Sequence, residues 1–560
     1  MDMEAKRQYR VLLVAIWLAF LSRGLFYCVQ QPMWEGYDEW AHFAFIQHIA
    51  ELRTLPSGTD LVSPEVQRSL QLVPLSQAAA KVAPGTITHD SFWRLDPEDR
   101  RRREEGLRRL NFTESGAGYP SLPARQYEAQ QPPLYYLVLT PPYLMVKRVS
   151  LPAQVLALRV CSVVIASSVV FVGYAIALYA MRDRAMALLV AVLLACLPGL
   201  FINVCRIGNE SLSIALTSAV ILFSLKVCRR RSAALDWFLL GTLTGAALLT
   251  KAYTLSLVPL LAAVALIRAF RYPKSWKLTA VWCGTAYVAA LATAGWWYWR
   301  NLVATGTLSG EQLDVAAAGF SIAQKLSGAY RMDWRAVVDA AAFSHIWLGG
   351  WSFLVVRGWM YRVCEFVAVF AAIGLSMYLV KTVLSPRPER ILRVVGRPPA
   401  VLAMAYILMC FAVAYHSLVT FLAHHISTAL GWYLYSVVVP EVVLLGLGFT
   451  GLVGKKRSQF AMASVCLMSI ALDLYTVHFL LMPYYAGMIG HRASGSLEVF
   501  RVRTLLSQMG ALFRGLSINE ATIVGPGAVA AIWGAYVCST LGLASIAVFI
   551  AYCRRNHGAR

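Results

Sequence analysis

Three ionisable side chains, Asp38, Glu39 and His42, lie within a stretch of five residues shortly after the first apolar segment of the chain. Asp38 and His42 are four residues apart, and Glu39 and His42 are three apart. If Asp38 opens a helix, all three side chains lie on one face of its first turn. A carboxylate there can accept a proton from an attacking hydroxyl, and a carboxylate with an imidazole can also hold a divalent metal. The alternative is local: Asp38 caps the helix, Glu39 favours its positive end, and His42 is an ordinary interfacial histidine.

A second acid stands at the start of another apolar segment. Glu210 follows Arg206 in the short turn before residues 211–228. An acid at the mouth of a membrane span is costly unless it is solvated, paired or functional. Glu210 is therefore a candidate second acid of the same site. The alternative is a solvated turn in which Arg206 pairs with Glu210, an interaction that is worth little.

Basic and imidazole side chains at other segment ends could complete such a site. Lys251 and Arg300 lie at the predicted outer ends of two spans, where the positive-inside bias disfavours them. They could bind a lipid phosphate, or they could be snorkelling cations beside aromatic rings. His345 lies near the same side and could join Asp38 and His42 on a metal. His424 and His425 are adjacent, so on a helix their rings point about 100° apart, which makes a poor chelate.

The elements that must position these residues are membrane helices. The chain has 560 residues, of which 58% are hydrophobic and 14% charged, with a mean hydropathy of +0.58. This composition predicts a polytopic membrane protein. The net charge of +22 does not indicate nucleic acid, because the basic residues fall in short clusters between apolar segments. The eleven cysteines include no CxxC pair, so neither a disulfide framework nor a cysteine zinc site is indicated.

The apolar windows predict an all-α fold with about twelve transmembrane helices and interfacial helices in a large first external loop. The windows are residues 11–29, 155–180, 185–204, 211–228, 234–250, 253–270, 277–299, 362–384, 400–422, 432–452, 460–482 and 529–552. A further apolar segment, residues 132–146, is shorter and contains Pro141-Pro142. We predict that it is an interfacial or re-entrant helix. The basic residues at the N-terminus precede a first helix that has no small-residue cleavage site after it, so we expect this helix to be retained.

Loop charge supports that choice and sets the orientation. If residues 132–146 do not cross, every basic cluster outside the long loops falls on one side, including Arg229-Arg230-Arg231 and Arg387/Arg390/Arg393/Arg397. The positive-inside rule then predicts cytoplasmic termini and a plasma-membrane (bacterial inner-membrane) protein. Residues 1–560 form a single transmembrane domain with three external regions: residues 30–154, 300–361 and 483–528.

Several short motifs resemble the GT-C superfamily of integral-membrane glycosyltransferases. The more specific resemblance is to a group of bacterial predicted membrane proteins with an Asp-Glu-x-x-His motif in the first loop. It covers most of the chain as an order of segments. The matching motifs are Gly36-Tyr37-Asp38-Glu39-Trp40-Ala41-His42-Phe43, Gln131-Pro132-Pro133-Leu134-Tyr135-Tyr136, Leu249-Thr250-Lys251 and Trp297-Tyr298-Trp299-Arg300-Asn301.

The resemblance implies transfer of a sugar from a polyprenyl-phosphate donor to a glycan, lipid or protein acceptor on the outer face. It implies that Asp38 is the general base or a metal ligand, and that the second acid falls at Glu210, where the family usually has Asp. The family's Gly-Arg-Tyr reads Gly431-Trp432-Tyr433 here. If the family's arginine binds the carrier phosphate, then in this chain Arg300 or another cation must do so, or the donor differs.

The expected site divides into catalytic and substrate-binding residues. The catalytic set is Asp38, Glu39 and Glu210, and the substrate-binding set is His42, Arg206, Lys251, Arg300 and His345. No cofactor is required, although a divalent metal such as Mg²⁺ or Mn²⁺ is compatible with the first cluster. The expected partners are the lipid-linked donor, the acceptor and membrane lipids, with no nucleic acid.

Two other functions fit parts of the sequence. About twelve spans suit a transporter or lipid flippase. Against that function, the chain shows no internal repeat, and its ionisable residues cluster at outer helix ends. A non-catalytic partner in envelope assembly is the other alternative, because the departures at Glu210 and Trp432 affect positions that the family uses.

Overall fold

The computed structural model describes residues 3–77, 86–111, 124–308, 319–383 and 398–557, and these are almost entirely helical. Helices suit the apolar segments because every backbone N–H and C=O in lipid needs a partner within its own segment. The basic cluster at residues 387–397, which the orientation argument uses, lies outside the described residues.

The first half of the described chain contains twelve helices and one small sheet. The helices are α1 (Met3–Gln30), α2 (Glu39–Leu52), α3 (Pro64–Leu72), α4 (His89–Phe92), α5 (Pro97–Arg109), α6 (Leu134–Val146), α7 (Leu151–Ala166), α8 (Ser168–Met181), α9 (Arg184–Cys196), α10 (Pro198–Val204), α11 (Glu210–Val227) and α12 (Ala234–Leu248). The strands β1 (Pro74–Leu75) and β2 (Ile87–Thr88) pair in parallel.

The second half consists of ten further helices with short 3₁₀ and π segments between them. The helices are α13 (Leu257–Arg271), α14 (Trp276–Thr305), α15 (Ile322–Arg331), α16 (Trp334–Ile346), α17 (Gly358–Val383), α18 (Pro398–His424), α19 (Val438–Thr476), α20 (Met482–Tyr485), α21 (Val502–Asn519) and α22 (Pro526–His557). The 3₁₀ segments are Ala252–Ser256, Pro273–Ser275 and Gly431–Val437, and Val477–Leu481 is a π-helix.

The chain is an all-α, multi-pass membrane protein. Within the described ranges, nine helical segments are long and apolar enough to cross a membrane, or ten if the bent pair α9–α10 is one span. Each of the twelve apolar windows is mostly helical in its described residues, although Ser167 divides the window 155–180 and Leu197 divides the window 185–204. The number of spans is smaller than the twelve predicted windows for two reasons. The 15-residue α12 is short, and the segment Gly431–Tyr485 contains two windows. Gly454 interrupts α19 between those two windows with φ 78°, a value that glycine adopts without strain.

The segment 132–146 forms the 13-residue helix α6. At about 1.5 Å per residue it is shorter than a hydrocarbon core of about 30 Å. Its tyrosines pack under α2 in a hydrophobic cluster that includes Phe43, Phe45, Tyr136 and Tyr143. Helix α6 therefore packs against α2 through these rings, and its interfacial or re-entrant placement stays a prediction.

The centre of the membrane domain is α9, in which every residue from Ala185 to Cys196 is buried. It packs against α1, α8, α19 and α22. Helices α1 and α19 meet beside it through a buried ion pair, with Arg23 Nη2 3.0 Å from Asp473 Oδ1. Tyr27 and Tyr536 donate hydrogen bonds to Asp473, and Arg23 donates one to Thr540. Each charge in this apolar interior therefore has an opposite charge and hydroxyl partners, as burial requires.

A buried glutamate joins all three predicted external regions. Glu35 Oε1 accepts hydrogen bonds from the Ser352 backbone N–H at 2.6 Å and from Tyr485 Oη at 3.0 Å. Its other oxygen, Oε2, lies 2.9 Å from His89 Nε2. The three regions consequently form one assembly directly beside the Asp38 segment.

Candidate active site

Asp38 occupies the N-cap position of α2 without acting as a cap. Its backbone is left-handed, with φ 56° and ψ 18°, and its side chain makes no capping hydrogen bond. The carboxylate instead accepts a hydrogen bond from the Tyr127 hydroxyl. A left-handed aspartate is uncommon and persists where the surroundings hold it. The local alternative of a helix cap therefore does not describe this half-buried carboxylate.

Glu39 is placed very differently, although it is the next residue. Arg159 makes a bidentate contact with it, from Nε to Oε1 and from Nη2 to Oε2, both at 2.7 Å. The Ile207 backbone N–H also donates to Oε1 at 3.0 Å. Both charged side chains are 0% exposed. This placement favours a structural role for Glu39 over the predicted catalytic one, because a sealed and saturated carboxylate cannot exchange protons with a substrate.

Arg159 also fixes the turn that carries Asp38. Its guanidinium donates to the carbonyls of Cys28, Gln31 and Pro32 at 3.0, 2.5 and 2.8 Å. These bonds tie the end of α1 to the start of α2. The sequence analysis missed Arg159, although a lone arginine in the apolar window 155–180 is a signal that deserves a named partner.

The second predicted acid lies between two predicted cations. Arg206 Nη2 is 2.8 Å from Glu210 Oε2, and Lys251 Nζ donates to Glu210 Oε1. Lys251 also donates to Asn209 Oδ1 at 3.0 Å. All three ionic side chains are buried. The alternative of a solvated surface pair is therefore wrong for Arg206 and Glu210, and α11 begins in a buried charge network.

Glycine allows the chain to close around this network. A Cβ at Gly36 would lie 2.7 Å from Arg206 Cβ, and a Cβ at Gly208 would lie 2.7 Å from Arg206 Nη1 and from Glu210 Oε2. Arg206 in turn donates to the Tyr37 carbonyl and lies over the Tyr37 ring. The predicted residues Arg206 and Glu210 are thus packed directly against the turn that holds Asp38.

Electrostatics joins Asp38 to this network. Burial raises the pKa of Asp38, while the Tyr127 hydrogen bond and the positive charges of Arg206 and Lys251 lower it. The negative charge of Glu210, like burial, raises the pKa of Asp38. Asp38, Arg206, Lys251 and Glu210 are therefore close enough for their charges to influence one another, and together they define the candidate active site.

The loop before α6 closes one side of the site. Tyr127 contacts Asp38, and Gln131 Oε1 accepts a hydrogen bond from Asn209 at 3.1 Å. Glu128 lies between these two contacts and is 5% exposed. The sequence analysis noted the motif that begins at Gln131 but missed Tyr127 and Glu128. Their only signal was a tyrosine and an acid shortly before that motif.

His42 lies below Asp38 in a packed environment. Its Nδ1 is 2.8 Å from the Tyr136 hydroxyl, and the two rings are stacked. Burial lowers the pKa of His42 to about 3, so its imidazole is neutral near pH 7. Its predicted substrate-binding role stays a prediction, and the contact with Tyr136 fixes the orientation of the ring.

The residues at the site do not fit a divalent metal. Among the described residues, no group of three or more His, Cys, Asp or Glu side chains is arranged to hold one. Lys251 and Arg206 provide the positive charge beside Glu210, and Tyr127 and Tyr136 engage Asp38 and His42. A metal at Asp38 would have to displace these partners.

Arg300 and His345 lie apart from this cluster. The Arg300 guanidinium is 4.7 Å from the centre of the Trp297 ring and has no ion-pair partner among the described residues. His345 Nε2 is 2.9 Å from both carboxylate oxygens of Glu441. Burial lowers the pKa of His345, but the Glu441 charge outweighs burial and raises it above the usual value. His345 therefore links α16 to α19, and no contact brings it to Asp38 or His42.

Trp432, which stands where the resemblance leads one to expect an arginine, makes an aromatic contact beside the site. Its ring stacks on Tyr37, with ring centres 4.1 Å apart and planes 12° apart, and it is buried. The next residue, Tyr433, lies 5.4 Å from Lys251 Nζ, measured to the ring centre. The 3₁₀ segment thus contributes an aromatic contact to the cation in place of a second cation.

The chain is similar over most of its length to solved membrane-protein structures. ArnT from Cupriavidus metallidurans bound to undecaprenyl phosphate matches at 13% identity and a TM-score of 0.39, with 88% of this chain and 76% of that chain covered. Its apo state matches at 13% identity and 0.40, with 87% and 75% covered. The apo oligosaccharyltransferase of Archaeoglobus fulgidus matches at 12% and 0.42, with 93% and 56% covered. No family model and no curated protein sequence matches the chain.

These likenesses are at 12–13% identity with TM-scores of 0.39–0.42. At TM-scores this low they carry no argument about chemistry.

Proposed function

We propose that this protein transfers a sugar from a polyprenyl-phosphate-linked donor to an envelope glycan, lipid or protein acceptor. The observation that carries the proposal is that the charges of the buried cations Arg206 and Lys251 act on a partly buried, non-capping Asp38. A base and a site for negative charge are the two parts that such a transfer needs. The motif resemblance supplies the class of donor.

Asp38 acts as the general base. Its carboxylate accepts the proton of the acceptor hydroxyl while that oxygen attacks the anomeric carbon. The bond from the anomeric carbon to the phosphate oxygen breaks, and its electron pair leaves with the carrier phosphate. A single displacement of this kind inverts the anomeric centre.

Lys251 stabilises the negative charge that develops on the leaving phosphate. An ammonium has three N–H donors, and two of those on Lys251 are used by Asn209 and Glu210. The third is free for a phosphate oxygen. Glu210 and Arg206 then serve to hold Lys251 and the Asp38 turn in place. Arg300, with no ion-pair partner in the described part of the chain, is a second cation for the carrier.

The proposed orientation places both termini in the cytoplasm of a bacterial cell, with the site on the outer face of the inner membrane. Residues 30–154, 300–361 and 483–528 are then external, which agrees with their joint contacts at Glu35. Alkaline phosphatase fused after residue 560 should be inactive, whereas a fluorescent protein fused there should fold. The reverse pattern would overturn the orientation.

The function is tested in a strain that lacks this protein, complemented with the wild type, Asp38→Asn or Asp60→Asn. Asp60 is a matched control, because it is an aspartate of the same external region with no contact to the site. Mass spectrometry of the envelope glycans should show a sugar that the wild type and Asp60→Asn restore and Asp38→Asn does not. Full restoration by Asp38→Asn at equal expression would overturn the catalytic proposal in favour of transport or scaffolding.

A further inference from the structure

Glu128 is a third acid at this site, and the mechanism above does not use it. It follows Tyr127, whose hydroxyl bonds to Asp38, and it precedes Gln131, which bonds to Asn209. Asn209 in turn accepts a hydrogen bond from Lys251. The backbone on each side of Glu128 is therefore fastened to one half of the site, which places this residue between the base and the cation.

The Glu128 carboxyl is buried without the partners that a charged carboxylate requires. Its Oε2 atom has no hydrogen-bond partner among the described residues, although the residue is 5% exposed. Burying an unpaired carboxylate is far more costly than burying a neutral acid. Glu39 shows what the chain supplies when a buried carboxylate is charged, namely a full guanidinium. No such partner is provided for Glu128.

Resting on the function proposed above, we propose that Glu128 is a positioning residue that retains a proton beside Asp38. Only one of these two carboxyls is then charged when the anionic carrier binds at Lys251. With both carboxyls ionised, the site would hold an additional negative charge that repels the carrier phosphate.

The charges around Glu128 support this distribution of protons. Burial, and after it the charge of Asp38, raises the pKa of Glu128 to about 8, although a Gln131 hydrogen bond and the Lys251 charge lower it. Glu128 is therefore neutral at pH 7 and ionises in the alkaline range. The titratable groups that face it in the described part of the chain are Asp38, Glu210, Lys251, Tyr127, Tyr136, Tyr253 and Tyr433.

The test is binding of undecaprenyl phosphate to the purified full chain in detergent between pH 6 and pH 9.5. The wild type should lose affinity above about pH 8, by about tenfold, as the new charge appears near the phosphate. Glu128→Gln, which mimics the neutral acid, should bind as the wild type does at pH 7 and show no such loss. Ionisation of the probe is the same for each variant, so it cancels in the comparison.

Asp38→Asn tests the proposal a second time, through the direction in which the pH dependence of binding moves. The Asp38 charge raises the pKa of Glu128, so its removal should move the loss of affinity to lower pH. The double variant Asp38→Asn/Glu128→Gln should again show no loss. A Glu128 that only supports the fold would change the affinity equally at every pH and would not produce these shifts.

The outcomes separate the two proposals. If the wild type and Glu128→Gln have the same pH profile, the role of Glu128 is overturned while the proposed function stands. If the wild type does not bind undecaprenyl phosphate at any pH in this range, the carrier proposal fails, and the role of Glu128 fails with it.

Discussion

The peptide bond between Asp38 and Glu39 separates two charge clusters that are built in opposite ways. On the Glu39 side, Arg159 and the backbone saturate every polar group, and both charges are 0% exposed. On the Asp38 side, the residue is only partly buried, and its carboxylate accepts one hydrogen bond, from a tyrosine hydroxyl. The cations near it are not bonded to it in the described part of the chain. The full set of hydrogen bonds fixes the position of Glu39. The incomplete set on Asp38 leaves its carboxylate able to react.

The two acids of this motif therefore have different roles, one structural and one chemical. A fully paired buried carboxylate contributes position and is strongly destabilising to break. A carboxylate with a free lone pair beside positive charge can accept a proton. Four substitutions test whether the two acids differ in this way.

Asp38→Asn should have the largest effect, and it should be on chemistry. We expect transfer to fall by roughly 10²- to 10⁴-fold, the usual contribution of a general base. The thermal unfolding midpoint in detergent should stay close to that of the wild type, because the amide can still accept the Tyr127 hydrogen bond. Glycan mass spectrometry and the unfolding curve measure the two effects, and a large drop in the midpoint would remove the contrast with Glu39.

Glu39→Gln should show the opposite pattern. The substitution removes the bidentate partner of the buried Arg159 and leaves only Glu520, whose Oε1 lies 3.6 Å from Nη1. This should cost up to about 3–5 kcal/mol of stability, seen as a lower unfolding midpoint and a lower yield. Activity per folded molecule should change little. The double variant Glu39→Gln/Arg159→Met should recover part of the loss. Equal stability of the single variant and the wild type would contradict a structural role.

Lys251→Met should reduce transfer by roughly 10²- to 10³-fold, the typical loss when one donor to a developing negative charge is removed. Lys226→Met is a matched control at the other end of α11, where Lys226 pairs with Asp236 at 2.7 Å and is half-exposed. If both variants lose the same activity, the effect belongs to the helix and not to the phosphate.

Tyr127→Phe should have the smallest effect and should appear in the pH profile. The hydroxyl lowers the pKa of Asp38 by bonding to its charged form, so its loss should raise that pKa. Asp38 would then become protonated at a higher pH, and the acidic limb of the transfer rate should move to higher pH. At alkaline pH the rate should approach that of the wild type. An unshifted limb would mean that Tyr127 does not influence the base.

Hydropathy and short motifs predicted the helices and the first acid, because both are local signals. Each apolar window is mostly helical in its described residues, and Asp38, Arg206, Glu210 and Lys251 came together. The partners could not be predicted, because they are remote in the chain. Arg159 is 120 residues from Glu39, and Tyr127 is 89 residues from Asp38. A sequence indicates that a buried acid needs a cation, but it does not indicate which one.

Glu39 and His345 show what residue type alone leaves open. Glu39 is of the same chemical type as Asp38, but its side chain is directed from the first turn of α2 into the protein. The partner of His345, Glu441, lies within an apolar window, where the sequence analysis assigned no site residue. Arg300 stays a prediction, since no contact among the described residues joins it to the cluster.

The ion pair that joins α1 to α19 has a consequence for synthesis in the cell. Arg23 enters the membrane with the first helix, but its ion-pair partner Asp473 is translated about 450 residues later. At 5–20 residues per second this interval is roughly 20 to 90 seconds. During that time an unneutralised arginine costs about 2.5–3.5 kcal/mol at the helix centre. We therefore expect the nascent first helix to stay beside the insertion machinery, or in contact with a chaperone, until α19 arrives.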